Sequence, residues 1–432
     1  MAAPLTPSQV AVIGAGYAGM ATAVELASAG IRVTVFEASR TLGGRARRVD
    51  MNGETLDNGQ HILLGAYRAT LELMAKVGVP SNLLLRHPLR LSYPGRLELA
   101  APRLPAPLHV ATALIGARGL DWSAKFSAIR FMRYLQGCRY RLEQDESLAA
   151  LLDRLQQPPT LRRHLWEPLC VAALNTPMNN ASAQIFANIL RDSLGARRAD
   201  SDLLLPAADL SSLLPEPAAR YIETRGGRVL RGHRITSLRH TGATWQLDDL
   251  DTFSHVVVAT APQHVRRLLA DHPALSQSLS NISAMDYEPI TTAYFQYPET
   301  TTLPFPMVGC TGGSLQWLFD RGALGGPKGL LAAVISAQGP HQALTPEALA
   351  AQLEREISQL LPGLPPARWN RIITEKRATF ACCPGLIRPD NGTPLAGLFL
   401  AGDYTAGDYP ATLEGAVRSG QRAAALVLGA KH

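Results

Sequence analysis

The apolar positions change period twice within the first forty residues. Residues 10–13 form a short continuous apolar run, as a strand covered on both faces does. Residues 17–29 carry small and apolar side chains at helical spacing, and residues 31–36 return to an apolar strand. The three together predict a compact βαβ unit. Residues 47–64 read as a hairpin-like stretch with Asn52-Gly53 as its turn. From about 66 to 200 the spacing is mostly helical, clearest at 122–136 and 145–156. Pro102, Pro105, Pro107 and Pro158-Pro159 interrupt it. Short strands are expected at 228–231, 234–238, 244–247 and 255–259, the last ending at Thr260-Ala261-Pro262. Residues 288–297 and 329–336 are further strands, 346–361 an amphipathic helix, 398–401 a final strand and 411–429 a final helix. No repeat or low-complexity segment interrupts the pattern.

Composition fits this picture. The 432 residues are 46% apolar and 18% charged, which suits a large core and excludes a disordered chain. No apolar run is long enough to predict a spanning helix. The chain passes from Met1 to its first strand without a basic leader or cleavage site, so the expected location is cytoplasmic. Five cysteines lack metal-ligand spacing and read as reduced thiols, with no metal site. The net charge is +7, with basic clusters at Arg45, Arg47-Arg48 and Arg197-Arg198. No aromatics interleave with them, so nucleic acid is not an expected partner. They read as a solvated face, or as attraction to a pyrophosphate or to anionic lipid head groups.

Gly14-Ala15-Gly16-Tyr17-Ala18-Gly19 follows the first strand and opens the first helix. Gly14 permits a tight turn, Gly16 lets backbone approach a pyrophosphate at the helix N-terminus, and Gly19 lets helix and strand pack closely. Glu37 ends the second strand about twenty residues on, placed to accept hydrogen bonds from ribose hydroxyls. This fingerprint alone does not separate NAD from FAD.

Gly43-Gly44-Arg45 follows Glu37 after five residues, bringing two glycines and a positive charge toward phosphate. That pattern resembles the amine oxidase and phytoene desaturase superfamily of FAD enzymes. Leu398 to Asp403 resembles its second FAD motif, with Gly402-Asp403 facing the ribityl and pyrophosphate region. Residues 412–416 resemble the start of its last helix, so Thr412 and Leu413 would meet the flavin pyrimidine ring. A helix N-terminus there stabilises a reduced, anionic flavin. Gly227-Arg228-Val229 resembles the segment that reaches the adenine. Ala15 and Ala38 belong to the same expected cofactor contacts.

Three further stretches narrow the resemblance: Leu56 to Gly65, Trp166 to Pro177, and Asp202 to Pro206 with Asp209 and Ser211. With the FAD motifs they resemble the squalene-associated FAD-dependent desaturase family, the hydroxysqualene dehydroxylases of hopanoid biosynthesis. The resemblance implies a fold of class α/β + α: a Rossmann-like FAD-binding domain from residues 1–70, 205–270 and 385–432. A helical cap at 71–204 and a mixed-sheet substrate domain at 271–384 would be inserted into it. It also implies reductive dehydroxylation of a C30 isoprenoid alcohol, with hydride from reduced FAD. The leaving hydroxide needs an acid, and the cation-like carbon needs a cavity free of water. His61, Asp57 and Asn58 are the expected catalytic residues, with His61 as proton donor or as a residue that only orients the flavin. Gln60 would hydrogen-bond flavin or substrate, Tyr404 or Tyr409 would line the flavin face, and Glu167 is a further candidate acid. Glu414 is expected to cap or face the last helix. The leucine-rich segment 66–200, with Trp122, Phe126, Phe131 and Met132, would reach a lipid interface or form an ordinary helical core, with peripheral inner-membrane attachment expected. A carotenoid-type desaturase and an amine oxidase are the alternative enzymes. The complete FAD set argues against a flavin-free lipid-carrying chaperone. No second fingerprint marks the electron donor, so a nicotinamide cofactor would bind only transiently.

Overall fold

The computed structural model describes residues 9–51 and 53–429; Asn52 of the expected turn, the first eight residues and the last three lie outside them. A parallel five-stranded sheet draws its strands from four separated stretches. Its order is Arg228–Arg231, Arg32–Glu37, Gln9–Ile13, His255–Val258 and Leu398–Leu400. Val10, Ala11 and Val12 on the central strand are fully buried, which explains their unbroken apolar run. On one face the helix Tyr17–Ser28 lies against the last helix, Leu413–Val427. The contact is close because Gly420 has no side chain: a Cβ there would sit 2.2 Å from the Ala18 carbonyl oxygen. The Thr22 hydroxyl donates to the Gly420 carbonyl at 2.9 Å, so the two chain ends are joined.

The second sheet is antiparallel, ordered Met307–Gly309, Trp317–Asp320, Leu330–Ser336, Tyr287–Gln296 and Trp369–Phe380. Strand alternation gives it two faces. Leu318, Ala333 and Ile335 pack on Leu349, Leu353 and Ile357 of the helix Pro346–Leu360. Trp317, Phe319 and Val334 point the other way and line a cavity.

Several sequence expectations need correction. The stretch expected to be mostly helical begins with the helix Arg68–Lys76 but then forms strands Leu84–His87, Arg90–Tyr93 and Leu97–Ala100. Pro88 and Pro94-Gly95 break any helix there, and Leu89, Leu91, Leu97 and Leu99 alternate as strand residues do. The hairpin stops at Asp57; Leu63–Leu64 instead pairs with Leu203–Leu204. The strand expected at 234–238 starts only at Leu238, because the Thr236 and Ser237 N–H groups donate to the Asp248 carboxylate. The twelve-residue strand Trp369–Phe380 was not expected, since its charges follow no period of two.

Candidate active site

The glycine turn sits where the parallel sheet meets its first helix. Gly14 has φ +109°, and a Cβ there would lie 2.7 Å from the Ala259 carbonyl oxygen. Gly19 is packed against the Gly14 carbonyl. Gly16 caps the helix without any side-chain hydrogen bond, and a Cβ on it would meet nothing nearer than the Gly44 Cα at 3.9 Å. The Gly43 N–H donates to the Ala15 carbonyl at 3.0 Å, which lays Gly43-Gly44 over the turn. Both Glu37 carboxylate oxygens accept backbone N–H groups, from Ala15 and from Ser39, each at 2.8 Å. Each oxygen keeps a lone pair for a ribose hydroxyl. Ala38 is exposed beside it, and the Val229–Val35 pairing brings the Gly227–Val229 backbone to the same edge. The Thr260 hydroxyl is buried beside Gly14 without a partner. An uncapped helix N-terminus, a glycine-lined space and an unpaired hydroxyl fit a dinucleotide pyrophosphate.

Arg45 joins the two chain ends. Its Nη2 lies 2.6 Å from Asp403 Oδ1, and Nη1 donates to the Ala378 carbonyl at 2.6 Å. Burial opposes the Arg45 charge, and the Asp403 carboxylate, with Glu375 and Tyr287 beside it, more than restores it. Gly402 donates its N–H to the Ser419 hydroxyl at 2.9 Å. Thr412 caps the last helix, accepting from Gly415 N–H at 3.1 Å, and Thr412 and Leu413 stand at the cavity wall.

That cavity holds about 1090 Å³ and is lined by Arg45, Asn58, Gln60, His61, Tyr67 and Glu375 beside the sheet face already described. His61 Nδ1 lies 2.8 Å from the Gly59 carbonyl oxygen. A carbonyl only accepts, so Nδ1 carries the proton and Nε2 presents a lone pair. Burial lowers the His61 pKa and keeps the ring neutral. The free ring nitrogen is therefore an acceptor, not the expected proton donor. Asn58 donates to the Arg45 carbonyl at 3.1 Å and to Glu375 at 3.2 Å.

Asp57 is not on the cavity wall. Its carboxylate accepts from Leu210 N–H at 2.9 Å and lies 3.5 Å from Arg321 Nη2. Arg321 also donates to the Gln60 side chain at 2.9 Å, so Asp57 reaches the site only through Arg321 and Gln60. Burial pushes the Asp57 carboxyl up to about 6 against the pull of Arg321. Glu167 is exposed and off the wall. Tyr404 is buried away from the cavity, and Tyr409 donates to Asp192 at 2.6 Å. Glu414 caps a different helix from the one expected, accepting from the Ala69 and Thr70 N–H groups and pairing with Arg418 at 2.7 Å. Glu375, Tyr67 and Arg321 had no sequence signal; Glu375 lies on the strand whose pattern hid it.

A second cavity of about 1380 Å³ adjoins the first and is walled almost wholly by apolar side chains, among them Leu91, Leu99, Val110, Leu114 and Phe186. Ile62, Tyr67, Ala173, Trp317 and Thr412 line both, so one polar-ended space adjoins an apolar one.

The chain matches the model of the flavin containing amine oxidoreductases over residues 17–428. It is 33% identical to a hydroxysqualene dehydroxylase of Rhodopseudomonas palustris, with 98% of each chain covered. It is 30% identical to the one of Sinorhizobium fredii, covering 98% of this chain and 99% of that one. A probable zeta-carotene desaturase of Synechococcus elongatus is 26% identical over 98% of this chain and 99% of its own. Two solved structures share the fold. A putative protoporphyrinogen oxidase of an Exiguobacterium species has a TM-score of 0.71 at 16% identity, with 99% of this chain and 100% of that one covered. Cyclohexylamine oxidase of Brevibacterium oxydans scores 0.69 at 18% identity, with 98% and 99% covered. The glycine cradle, the clasp between chain ends and the sequence match agree: this chain belongs to the flavin containing amine oxidoreductase family, with hydroxysqualene dehydroxylases among its relatives, and is an FAD-dependent oxidoreductase.

Proposed function

We propose that this enzyme reductively removes the hydroxyl group of hydroxysqualene, giving squalene and water on the route to hopanoids. The observation that carries the reading is the pairing of a polar cavity at the expected flavin end with a contiguous apolar cavity of about 1380 Å³. A C30 isoprenoid alcohol has that division between reacting carbon and hydrocarbon arms. FAD, when bound in its reduced form, supplies the hydride.

The chain's own residues do the rest. Gly14, Ala15, Gly16 and Gly19 would hold the pyrophosphate, and Glu37, Ala38 and Val229 the adenosine. Gly44, Arg45, Gly402 and Asp403 would hold the middle of the cofactor, and Thr412 and Leu413 the flavin end. Asn58 and Gln60 border the reacting centre, and the neutral His61 offers it a hydrogen-bond acceptor. Asp57, through Arg321, orients Gln60. The proton for the leaving hydroxyl comes from Tyr67. Tyr67 is the one titratable residue, among the described ones, on the wall shared by the polar and apolar cavities near Trp317. Burial, then the neighbouring Glu414 charge, raise its pKa and weaken it as an acid, so its proton moves only as the C–O bond breaks and hydroxide-like charge develops on the leaving oxygen. The apolar walls exclude water that would recapture the cation. The FAD-binding part corresponds to residues 1–70, 205–270 and 385–432, with 71–204 and 271–384 shaping the substrate space. No described helix is long and apolar enough to cross a membrane. Attachment in our reading is peripheral, on the cytoplasmic face of the inner membrane.

The second reading is a carotenoid-type desaturase, favoured by the Synechococcus relative. The two differ in the direction of hydride flow. Purified, pre-reduced enzyme incubated anaerobically with hydroxysqualene separates them: squalene formation supports dehydroxylation. Oxidation of a saturated isoprenoid segment by the oxidised enzyme, with no squalene formed, supports the desaturase.

A further inference from the structure

Among the described residues, nine large apolar side chains are exposed, and five of them, Leu104, Leu108, Ile115, Trp122 and Phe126, fall between residues 104 and 126. Single exposed apolar residues are ordinary, but a cluster marks an interaction surface. Trp122 and Phe126 are 60% and 65% exposed and stand one helical turn apart, with ring centroids 6.1 Å from each other. They belong to the helix Trp122–Gly137; Leu108 and Ile115 belong to the helix Leu108–Gly116. Lys125 ties the two helices, donating to the Ile115 carbonyl at 2.7 Å while its ammonium sits 4.8 Å from the Trp122 ring centre.

Two further features narrow what covers this face. Four exposed arginines, Arg103, Arg118, Arg130 and Arg133, lie in or beside these helices along the chain, and Glu98, bonded through its backbone to Arg118, has its carboxylate 3.9 Å from Arg90. The one acid of the stretch, Asp121, is committed to capping the second helix through Ala124 N–H at 2.7 Å. Aromatic and aliphatic side chains accompanied by exposed arginines match an anionic bilayer surface, where rings sit at head-group level and cations meet phosphate. The inner faces of the same two helices also line the apolar cavity, through Val110, Leu114 and Met132. One helical pair thus separates the outside from the space proposed for the hydrocarbon.

We infer that this helical pair docks on an anionic phospholipid bilayer and is the portal through which the hydrocarbon substrate passes between bilayer and cavity. The docking stands on the surface alone; the passage of substrate rests on the dehydroxylase reading above.

The test uses the FAD-loaded enzyme, the double variant Trp122→Glu/Phe126→Glu and the charge variant Arg118→Glu/Arg130→Glu. All three are first shown to retain FAD absorbance. Co-sedimentation is measured with phosphatidylcholine vesicles with and without phosphatidylglycerol. Wild type is expected to bind the anionic vesicles, to weaken in high salt, and to bind the neutral ones poorly. Each variant is expected to lose roughly tenfold or more in binding. Squalene formation by the double variant should be unchanged with substrate in detergent micelles and reduced about tenfold with substrate in vesicles. Equal vesicle binding by wild type and double variant overturns the docking. Equal binding to neutral and anionic vesicles overturns the choice of an anionic surface. A dimer that the double variant dissociates, with no vesicle binding by wild type, assigns the face to a second copy instead. Parallel loss of micelle and vesicle activity overturns the portal. Absence of squalene from wild type in both presentations sinks the substrate reading and leaves the vesicle result standing.

Discussion

At the scale of single residues, the account turns on which groups hold protons. Tyr67→Phe keeps the ring and removes the O–H. Turnover of hydroxysqualene should fall by about 10²- to 10⁴-fold while FAD binding and Tm stay near wild type. Unchanged turnover would remove Tyr67 from the chemistry. Asp57 gives a pH signature. Its carboxyl is raised from 3.8 to about 6 in the folded protein, with burial the largest cause. The folded state therefore binds the proton more tightly than the unfolded chain. Stability from this group is full below about pH 4 and is lost as pH rises toward 6, by roughly 3 kcal/mol. Asp57→Asn removes that slope, so the Tm difference between variant and wild type should move in the variant's favour from pH 4 to 6. A constant difference across that range would contradict the burial account. The glycine cradle was legible in the sequence because a tight turn and close backbone approach demand glycine at fixed spacing, as at Gly14, Gly16 and Gly44. The catalytic surroundings were less so. Asp57 and His61 stood in the right segment, yet only coordinates show Asp57 turned to Leu210 and Arg321, and the His61 ring tied to Gly59.

At the scale of elements, the last helix is fixed by a buried carboxylate. Glu414 is fully buried and serves the Ala69 and Thr70 N–H groups, the Thr70 hydroxyl and Arg418 together. Glu414→Ala leaves those donors unpaired, at a cost of about 3 kcal/mol or more. Chemical denaturation should show that loss, together with weaker FAD binding, since in the proposed arrangement the start of this helix, at the cavity wall, would face the flavin. A variant as stable as wild type would show that water replaces the carboxylate. Long periodic elements, such as the helices at 17–28 and 346–360, were legible from their spacing. Trp369–Phe380 was hidden because an edge strand with one wet face tolerates charges at any position. The strands between 84 and 100 were hidden because leucine alternation over four residues is too short to outweigh the helical windows around it. These two misjudged regions supply Glu375, Leu91 and Leu99 to the cavities.

At the scale of the whole molecule, FAD would hold the N-terminal and C-terminal segments together through Arg45 and Asp403. FAD addition to apoprotein should raise Tm in a concentration-dependent way, as any ligand selective for the folded state does. Gly420→Val should lose that response, because the Ala18 carbonyl leaves no space for a side chain. The βαβ unit and the closing strand-helix pair were legible from opposite ends of the sequence. That their helices touch was not, since Thr22 and Gly420 lie 398 residues apart and no local pattern spans them.

In the proposed reaction, hydride leaves the reduced flavin for the carbon that loses its hydroxyl. The most direct measurement is an anaerobic single turnover of the pre-reduced enzyme with hydroxysqualene, following flavin absorbance and product together. One squalene is expected per flavin reoxidised, at the same rate. Flavin that stays reduced, or reoxidation without squalene, would contradict it.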